Sequence, residues 1–475
     1  MIKLLPRQKR WLAIVVATNL ALWLIPSDVV EQIARDRHTL LGRYSRAHFT
    51  WIVMIAMGSV VSFYIDWSRG RTYRRRWFQV VATLLVLTPC LAFFDFFLRS
   101  PQSAHFVRDS VVFHRPVNAR FHIEFSDRPN AARTYADAPA GYGTVSCTGT
   151  TDRNGFRNQR VLDKYDVVVL GDSFAEGSKV SDEHAWPELL AARSGLTVYN
   201  LGMSSFDPSL YLASLQEYGL ALQPRVVICL LYEGNDFRSA KADRKRRRPS
   251  LSRRFKRYVK QSPLLEAFDR CLVETFGPIN SRGDVAGIEI LDWMPLALPR
   301  GSNVKHYAFA PKQIRDLYIR REDFARDRHW LNSRKQLGEM RRLCVEAGCR
   351  FVVVFAPTKA HVVLPTVGSD LPADHVHAFM ALRYKKELPE PELFLTNLLE
   401  RIEAKESVVR DWCRRESIPF LSLTGTLRTE AEKGKQVYYT YDQHWTPEGH
   451  GSVARAVDEF LVDTLAVARC GAISP

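Results

Sequence analysis

The first hundred residues contain three apolar stretches, at residues 11–26, 49–65 and 77–98, separated by short polar segments. A membrane-spanning helix needs about 17–25 apolar residues, so the third stretch is long enough and the other two approach that length. Five of the ten tryptophans fall at or near the ends of these stretches, where interfacial aromatic residues are common. The pattern predicts a membrane anchor of three transmembrane helices over residues 1–98.

The first stretch has a second interpretation, because basic residues precede it as they do in a secretory signal peptide. Residues 25–28, Ile-Pro-Ser-Asp, offer no small-x-small cleavage site, which favours an uncleaved span. Nine Lys or Arg residues lie before the first stretch or between the second and third, against four between the first and second. By the positive-inside rule we expect a multi-pass protein of the cytoplasmic membrane, with its N-terminus inside and everything after residue 98 in the periplasm or outside.

After residue 160, short runs of β-branched and other apolar residues alternate with segments of helical periodicity. The predicted strands are residues 166–170, 197–200, 225–231, 350–355 and 419–423. The predicted helices are residues 185–194, 208–222, 329–347, 391–415 and 447–467. This alternation is typical of parallel strands joined by crossover helices. We therefore expect an α/β domain over residues 99–470, a three-layer α/β/α sandwich whose sites lie beyond the carboxyl ends of the strands.

The net charge of +16 is concentrated in three basic clusters, at residues 3–10, 69–76 and 241–260, and the rest of the chain is about neutral. This uneven distribution argues against nucleic-acid binding, and a mean hydropathy of −0.18 excludes a polytopic transporter. The third cluster lies in a predicted insertion, residues 237–328, whose length indicates a lid or docking element. Residues 241–260 are expected to bind an anionic glycan or anionic lipid headgroups, unless they form a solvated loop.

Four short polar motifs occur at the ends of these strands or just before the last helix. They are Gly171-Asp172-Ser173, Gly202, Gly234-Asn235-Asp236, and Asp442 with His444. A Ser at a strand-to-helix turn is exposed, and the helix N-terminus behind it favours developing negative charge. A carboxylate beside a His can orient the imidazole as a base for such a Ser. Each motif alone is a common turn, but their order along one predicted sheet favours a Ser–His site for ester chemistry.

The four motifs resemble the sequence blocks of the SGNH/GDSL hydrolase superfamily, whose fold is flavodoxin-like. The resemblance implies that Ser173 is the nucleophile, His444 the general base and Asp442 its orienting carboxylate. It also implies an oxyanion hole made by the backbone N–H groups of Ser173 and Gly202 and by the side chain of Asn235.

The resemblance covers residues 145–465 and includes one departure. The usual block places Asp three residues before His, whereas residues 442–445 read Asp-Gln-His-Trp, with a gap of two. This form looks like the Asp-x-His-Trp motif of proteins that O-acetylate alginate and other exported polysaccharides. Residues 355–359, Phe-Ala-Pro-Thr-Lys, also resemble that group, and Asp172 and Lys359 are expected beside the site as substrate-binding residues.

The resemblance implies a serine esterase or O-acyltransferase, with acetyl as the expected acyl group. Together with the predicted anchor and its orientation, it implies a membrane-anchored enzyme whose substrate is an extracytoplasmic glycan or other envelope ester. A transferase would need a separate membrane partner to deliver acyl groups, because three spans are too few to carry them across. The alternative is a non-catalytic glycan-binding or assembly module of a polysaccharide-modification complex. No metal and no nucleotide cofactor are expected, because the cysteine spacing resembles no metal site and a dinucleotide fingerprint is missing.

Overall fold

The computed structural model describes residues 112–127, 139, 141–237, 303–381, 384 and 386–465, together with shorter pieces inside 13–83 and 280–300. The chain forms two compact units. The first comprises residues 1–100, 130–137 and 250–292, and the second comprises residues 101–129, 138–249 and 293–475.

The first unit contains a small antiparallel sheet in which His38–Leu40 pairs with Tyr44–Ser45 on one side and with Asn280–Ser281 on the other. Its described residues are also helical at intervals within 13–24, 51–61 and 75–83, segments that lie inside the three apolar stretches except for residues 75 and 76. No helix in the described part of the chain has the length and apolar character needed to cross a bilayer. The transmembrane anchor, its orientation and the localisation therefore stay predictions.

The first unit also contains the short antiparallel pair Asp284–Val285 and Ile288–Glu289. The second unit carries most of the described strands and helices. Its strands are β1 (Arg120–Asp127), β2 (Gly143–Thr150), β3 (Val167–Leu170), β4 (Val198–Asn200), β5 (Val226–Tyr232), β6 (Met294–Arg300), β7 (Asn303–Phe309), β8 (Arg350–Ala356) and β9 (Phe420–Ser422). Its helices are α1 (Ser173–Glu176), α2 (Trp186–Ser194), α3 (Pro208–Ser214), α4 (Pro311–Leu317), α5 (Arg321–Ala325), α6 (Arg328–Glu346), α7 (Lys359–Val367), α8 (Ala373–Ala381), α9 (Pro391–Arg401), α10 (Ala404–Arg415), α11 (Thr424–Glu432) and α12 (Pro447–Leu465).

A five-stranded parallel sheet in the order β9-β8-β5-β3-β4 forms the centre of this unit. Strands β3, β5 and β8 are nearly continuous apolar runs, as expected for parallel strands that are covered on both faces. Counted along the chain, the strand order is 2-1-3-4-5, the flavodoxin-like arrangement. The predicted α/β fold with a parallel sheet is confirmed, and each predicted strand agrees with the observed one to within one residue at either end.

Helices cover both faces of the sheet. Alternate sheet positions such as Cys229, Leu231 and Phe355 join one apolar cluster with side chains of α3, α6 and α10. The intervening positions of the strands do not belong to this cluster but are equally buried. Four further helices, α2, α7, α11 and α12, pack on one another. The strand order reverses between β3 and β5, where a doubly wound sheet leaves a crevice for a ligand.

Two predicted helices differ from those observed. The predicted helix over residues 208–222 is α-helical only in α3, and it continues as a π-helical turn, Leu215–Gly219, and a 3-10 turn, Leu220–Leu222. The predicted helix over residues 391–415 is divided into α9 and α10. No Gly or Pro marks the division, so the apolar periodicity runs through it and hides the break.

The predicted insertion, residues 237–328, is described only in part. It includes the antiparallel hairpin of β6 and β7, followed by α4 and α5. The Ala308 N–H on β7 donates to the Thr440 carbonyl at 2.9 Å, so this hairpin contacts the segment that precedes the predicted His. Residues 241–260, predicted to bind anions, lie outside the described residues.

Candidate active site

Ser173 is the first residue of α1, directly beyond the end of β3. The helix begins there because Asp172 caps it, with Oδ1 accepting the Phe174 N–H at 2.9 Å. It ends after one turn at Gly177, which adopts a φ of 75° in the left-handed region. The result is a tight strand-to-helix turn that leaves Ser173 partly exposed at the carboxyl edge of the sheet.

His444 connects Ser173 to Asp442 through two short hydrogen bonds. The imidazole Nε2 lies 2.8 Å from Ser173 Oγ, and Nδ1 lies 2.6 Å from Asp442 Oδ1. The His444 backbone N–H also donates to Asp442 Oδ1, at 2.8 Å. This carboxylate favours the tautomer that carries its proton on Nδ1, which leaves Nε2 free to accept the proton of the Ser173 hydroxyl. The three predicted residues therefore come together although 271 positions separate Ser173 from His444.

Asp442 stays ionised in this arrangement. Burial alone would raise the pKa of its carboxyl, but the adjacent His444 imidazole and its two hydrogen bonds hold that pKa well below the ordinary value. Lys179 acts in the same direction. An ionised Asp442 can stabilise the imidazolium that forms when His444 takes a proton.

Aromatic packing fixes the position of the imidazole. The Phe174 ring lies 4.9 Å from the His444 ring and meets the buried Trp445 ring edge to face at 4.8 Å. On its other side Phe174 stacks on Tyr232 at 4.1 Å. Side chains from α1, β5 and the loop before α12 thus hold His444 against the Ser173 turn.

The loop of residues 439–442 is held by two buried charged side chains. The Asp127 carboxylate accepts four backbone N–H groups at 2.7–2.9 Å, from Thr440, Tyr441, Asp442 and Tyr142. The Lys359 ammonium donates to the carbonyls of Tyr439, Thr440 and Asp442 at 2.6–3.0 Å. Asp127 was not predicted from the sequence, because a single Asp at the end of a hairpin strand carries no motif.

The structure corrects the role predicted for Lys359. Its side chain is fully buried and its three donors all contact loop carbonyls, so it positions the loop that carries Asp442 and His444 and does not bind substrate directly. Burial lowers the pKa of Lys359 to about 7, against the opposing effect of Asp127 and Asp442.

The role predicted for Asp172 also needs correction. Its side chain is fully buried; Oδ1 caps α1, and Oδ2 accepts a hydrogen bond from Asn235 Nδ2 at 2.9 Å. Burial raises the pKa of Asp172 to about 6. Asp172 therefore orients the Ser173 turn and the Asn235 amide, and it does not face substrate.

Asn235 lies where the sequence predicts it, just beyond β5 and beside the Ser173 turn. Only one of the two Nδ2 protons is needed for Asp172, so a second proton can serve an oxyanion. The Ser173 N–H, at the first turn of α1, is one of the donors that a helix leaves without an internal partner.

Gly202 does not supply the predicted oxyanion donor in this structure. Its backbone N–H donates to Asn200 Oδ1 at 2.8 Å. A larger residue would not fit at this position, because a Cβ at Gly202 would lie 2.5 Å from the Glu176 backbone nitrogen. Further along the same loop, Ser205 is exposed and adopts a φ of 72°, and its N–H has no partner among the described residues.

The arrangement supplies a hydroxyl nucleophile, a base on the nucleophile and a carboxylate behind the base. Within the residues that the structure describes, no group of three His, Cys, Asp or Glu side chains is placed to hold a metal ion.

Residues 317–472 match the sequence model of a family described as the SGNH hydrolase-like domain of acetyltransferase AlgX. The matched segment contains Lys359, Asp442 and His444, whereas Ser173 and Asn235 lie before it. The predicted membership of the SGNH superfamily is confirmed. The predicted class of enzyme, an ester-acting hydrolase or a related O-acetyltransferase, is confirmed with it.

The chain also matches solved structures of other proteins, at low sequence identity and low TM-score. The carbohydrate acetylesterase Est24 from Sinorhizobium meliloti is 12% identical, covers 63% of this chain and 99% of its own, and has a TM-score of 0.30. A member of the lipolytic G-D-S-L family from Veillonella parvula is 8% identical, covers 63% of this chain and 98% of its own, and has a TM-score of 0.28. TM-scores this low carry no information about substrate or activity. No curated protein matches the chain.

Proposed function

We propose that this chain is a serine-dependent esterase or O-acyltransferase that acts on acetyl esters of a glycan. The observation that supports it most directly is the hydrogen-bonded series Ser173, His444, Asp442, with distances of 2.8 and 2.6 Å. The match to an acetyltransferase-type SGNH domain supports the choice of acyl group. The resemblance of residues 442–445 to the Asp-x-His-Trp motif supports a polysaccharide ligand.

In the proposed first half-reaction, Ser173 Oγ attacks the ester carbonyl carbon while His444 Nε2 takes the hydroxyl proton. The negative charge on the carbonyl oxygen is stabilised by the Ser173 N–H and the Asn235 amide, with a further N–H from the loop after β4. The tetrahedral intermediate collapses when the alcohol oxygen leaves with the proton from His444, which gives an acyl-Ser173 enzyme.

In the second half-reaction, an incoming hydroxyl group attacks the acyl-enzyme. His444 removes its proton, and Ser173 leaves with that proton as the free enzyme is restored. Water as the attacking molecule gives hydrolysis, and a sugar hydroxyl gives O-acetyl transfer. The same residues serve both outcomes, so the proportion of the two depends on which acceptor occupies the site.

We further propose that residues 1–98 anchor the enzyme in the cytoplasmic membrane and that the SGNH domain works in the periplasm. The three apolar stretches and the distribution of basic residues support this location. A transferase in that compartment would receive its acyl group from a separate membrane partner.

Active-site labelling tests the central proposal. A fluorophosphonate probe is expected to label the wild-type chain at Ser173 and to leave the Ser173→Ala variant unlabelled. The wild type is also expected to hydrolyse p-nitrophenyl acetate, with a loss of at least about 10³-fold in kcat for Ser173→Ala. Equal labelling of the two proteins would refute the proposed nucleophile, and a wild type that is neither labelled nor active would favour the non-catalytic binding module.

Transfer is distinguished from hydrolysis by its products. Acetate release from p-nitrophenyl acetate is measured with and without a polysaccharide acceptor, and acetylated polysaccharide is detected by mass spectrometry. A transferase is expected to divert acetyl groups to the acceptor, whereas an esterase releases acetate at the same rate in both cases.

A further inference from the structure

Glu176, on the one-turn helix that begins at Ser173, is a buried charged residue that the proposed reaction does not use. Only 1% of its surface is exposed, and its Oε1 accepts the Nε–H of Arg115, which is also buried. Burial alone would raise the pKa of the Glu176 carboxyl, but Arg115, Ser204 and Arg157 hold that pKa below its ordinary value. Glu176 and Arg115 therefore form an ion pair behind the nucleophile turn.

The second carboxylate oxygen of Glu176 holds the loop of residues 201–206, the β4 loop. Oε2 accepts the Ser204 N–H at 2.9 Å and also accepts the Ser204 hydroxyl. The Ser178 hydroxyl donates to the same oxygen at 3.2 Å and lies 2.9 Å from Ser204 Oγ. One carboxylate thus joins Arg115, on the segment before β1, to the β4 loop.

The bond to Ser204 lies where the β4 loop leaves the sheet. Just before it, the Met203 N–H donates to the Gly171 carbonyl at 3.1 Å, which extends the pairing of β4 with β3. Just after it, the loop turns back on itself, and the Phe206 N–H donates to the Met203 carbonyl at 3.0 Å. Glu176 therefore fixes the loop between its last contact with β3 and its turn.

The β4 loop lies directly on α1 at Gly202. A Cβ at Gly202 would lie 2.5 Å from the Glu176 backbone nitrogen and 2.6 Å from the Ala175 carbonyl carbon. The Asn200 side chain donates to the Ala175 carbonyl at 2.9 Å, which holds the start of the loop on the same helix. Oxyanion donors act over a narrow range of about 2.7–3.1 Å, so a small shift of this loop would weaken any N–H that it directs at an oxyanion on Ser173.

The charge of Glu176 has a geometric consequence. A buried ion pair generally stabilises a fold no more than apolar side chains of similar volume do. An ionised carboxylate, however, offers an acceptor on each side, to Arg115 on one and to the β4 loop on the other. An amide in its place would turn its N–H₂ group towards one of these two donors.

We propose that Glu176, held by Arg115, is a positioning residue that sets the β4 loop for its part in the oxyanion hole. The proposal rests on the proposed function, since it concerns the oxyanion formed when Ser173 attacks an ester. Glu176 acts through the loop and does not touch the reacting atoms. Its effect is therefore expected on the transition state and not on the binding of substrate.

The test compares the full-length Glu176→Gln variant with the wild type. Kinetics on p-nitrophenyl acetate give kcat and KM, and inhibition by phenylboronic acid reports on a tetrahedral adduct of Ser173 that resembles the transition state. We expect kcat to fall about 10–100-fold, less than for the complete loss of a donor, and the boronate inhibition constant to rise by a similar factor.

KM should stay within about twofold of the wild type, because acylation and deacylation both pass through an oxyanion and are slowed together. The matched change Glu183→Gln, at an exposed position, should leave kcat, KM and the boronate inhibition constant unchanged. A merely structural role would lower the urea midpoint of unfolding, but would leave kcat and boronate inhibition normal in the protein that is folded under assay conditions.

The proposal is overturned if folded Glu176→Gln keeps kcat within about twofold of the wild type, or if its kcat falls with no matching loss of boronate inhibition. Should Glu176→Gln fail to fold, Ser204→Ala is measured in the same way, because it removes the hydroxyl bond to Glu176 and keeps the N–H bond. Its kcat and its boronate inhibition constant are then expected to change at least about threefold, and unchanged values overturn the proposal. A wild type that neither reacts with fluorophosphonate nor hydrolyses p-nitrophenyl acetate refutes the proposed function, and this proposal with it.

Discussion

Asp442 contacts His444 both through the imidazole and through the backbone N–H, and both contacts use the same oxygen, Oδ1. A carboxylate at this position can only accept, so it selects one tautomer of the imidazole. The charge matters as well as the geometry, since it stabilises the imidazolium formed during proton transfer.

Replacing Asp442 by Asn tests this point. The amide can present a donor to Nδ1 and so favour the wrong tautomer, and it carries no charge. We expect kcat on p-nitrophenyl acetate to fall by about 10³–10⁴-fold with little change in unfolding temperature. Asp163→Asn, at an exposed position, is the matched control. A kcat for Asp442→Asn within tenfold of the wild type would contradict the assignment.

Asn235→Ala removes one candidate oxyanion donor. We expect kcat to fall by about 10²–10³-fold, the usual loss for one such donor, while fluorophosphonate still labels Ser173 slowly. Initial rates on p-nitrophenyl acetate, with circular dichroism as a check on folding, measure the effect. An unchanged kcat would remove Asn235 from the oxyanion hole.

At the scale of single residues, the sequence predicts the reacting groups better than it predicts the roles of the residues around them. Ser173, His444 and Asp442 stand in short motifs at strand or helix ends, so their spacing indicates their chemistry. Gly202 follows a strand in the same way, but the sequence does not reveal that Asn200 already accepts its N–H. Asp127 has no motif at all, because its function depends on a loop that is 313 residues away along the chain.

Among the elements, the loop of residues 439–442 depends most on its surroundings. It has no regular hydrogen-bonded structure of its own beyond one bridge between Tyr438 and Trp445. Asp127 at the end of β1 accepts its N–H groups, and Lys359 at the start of α7 donates to its carbonyls. Two distant elements therefore supply the bonds that a strand would normally obtain from a neighbouring strand.

Asp127→Asn is expected to loosen this loop. The Asn oxygen can keep two of the four N–H partners, but the amide nitrogen faces the other two. Each buried donor left unpaired costs about 1–3 kcal/mol, so the free energy of unfolding should fall by about 2 kcal/mol or more. Because His444 would be less well placed, kcat should fall while KM changes little.

Urea denaturation and steady-state kinetics measure both effects, with Asp163→Asn as the control. Normal kcat in a clearly destabilised Asp127→Asn protein would show that Asp127 stabilises the fold without positioning His444.

The burial of Lys359 leads us to expect that the free energy of unfolding depends on pH. Its pKa is about 7 in the folded protein, below the value of about 10.4 in an unfolded chain, because it is buried. Between these two values the unfolded chain binds the proton more strongly, so the contribution of Lys359 to stability rises with pH, by at most about 1.4 kcal/mol per pH unit.

The comparison with Lys359→Met isolates this contribution. We expect the wild type to gain unfolding free energy relative to Lys359→Met as the pH is raised from 7 to 10, measured by urea denaturation at each pH. Parallel curves for the two proteins over this range would exclude a depressed pKa for Lys359.

The strands of the sheet were predictable for a physical reason. Strands β3, β5 and β8 are short apolar runs buried on both faces, and such a run can be recognised in the sequence without knowing which strands lie beside it. Helix boundaries were less predictable, as the division between α9 and α10 shows, because the amphipathic periodicity continues across the turn that separates the two helices.

For the whole molecule, the proposed anchor predicts that the full-length chain and a chain without residues 1–98 differ in membrane fractionation. We expect the full-length chain to sediment with membranes and to resist extraction by alkaline carbonate, as integral proteins with apolar spans do. A chain that begins at residue 99 should be found in the soluble fraction. Full-length protein released by carbonate would contradict a transmembrane anchor, and the Ser173→Ala variant should fractionate like the wild type.

The hydrogen bond between Ser173 and His444 joins groups 271 residues apart in the sequence. All five strands of the parallel sheet precede His444, the last of them ending at Ser422. During synthesis the nucleophile therefore leaves the ribosome long before its base, and the sheet can assemble around a serine that has ordinary alcohol reactivity. We therefore expect the nascent chain to be unreactive towards esters until the segment containing His444 has emerged and docked.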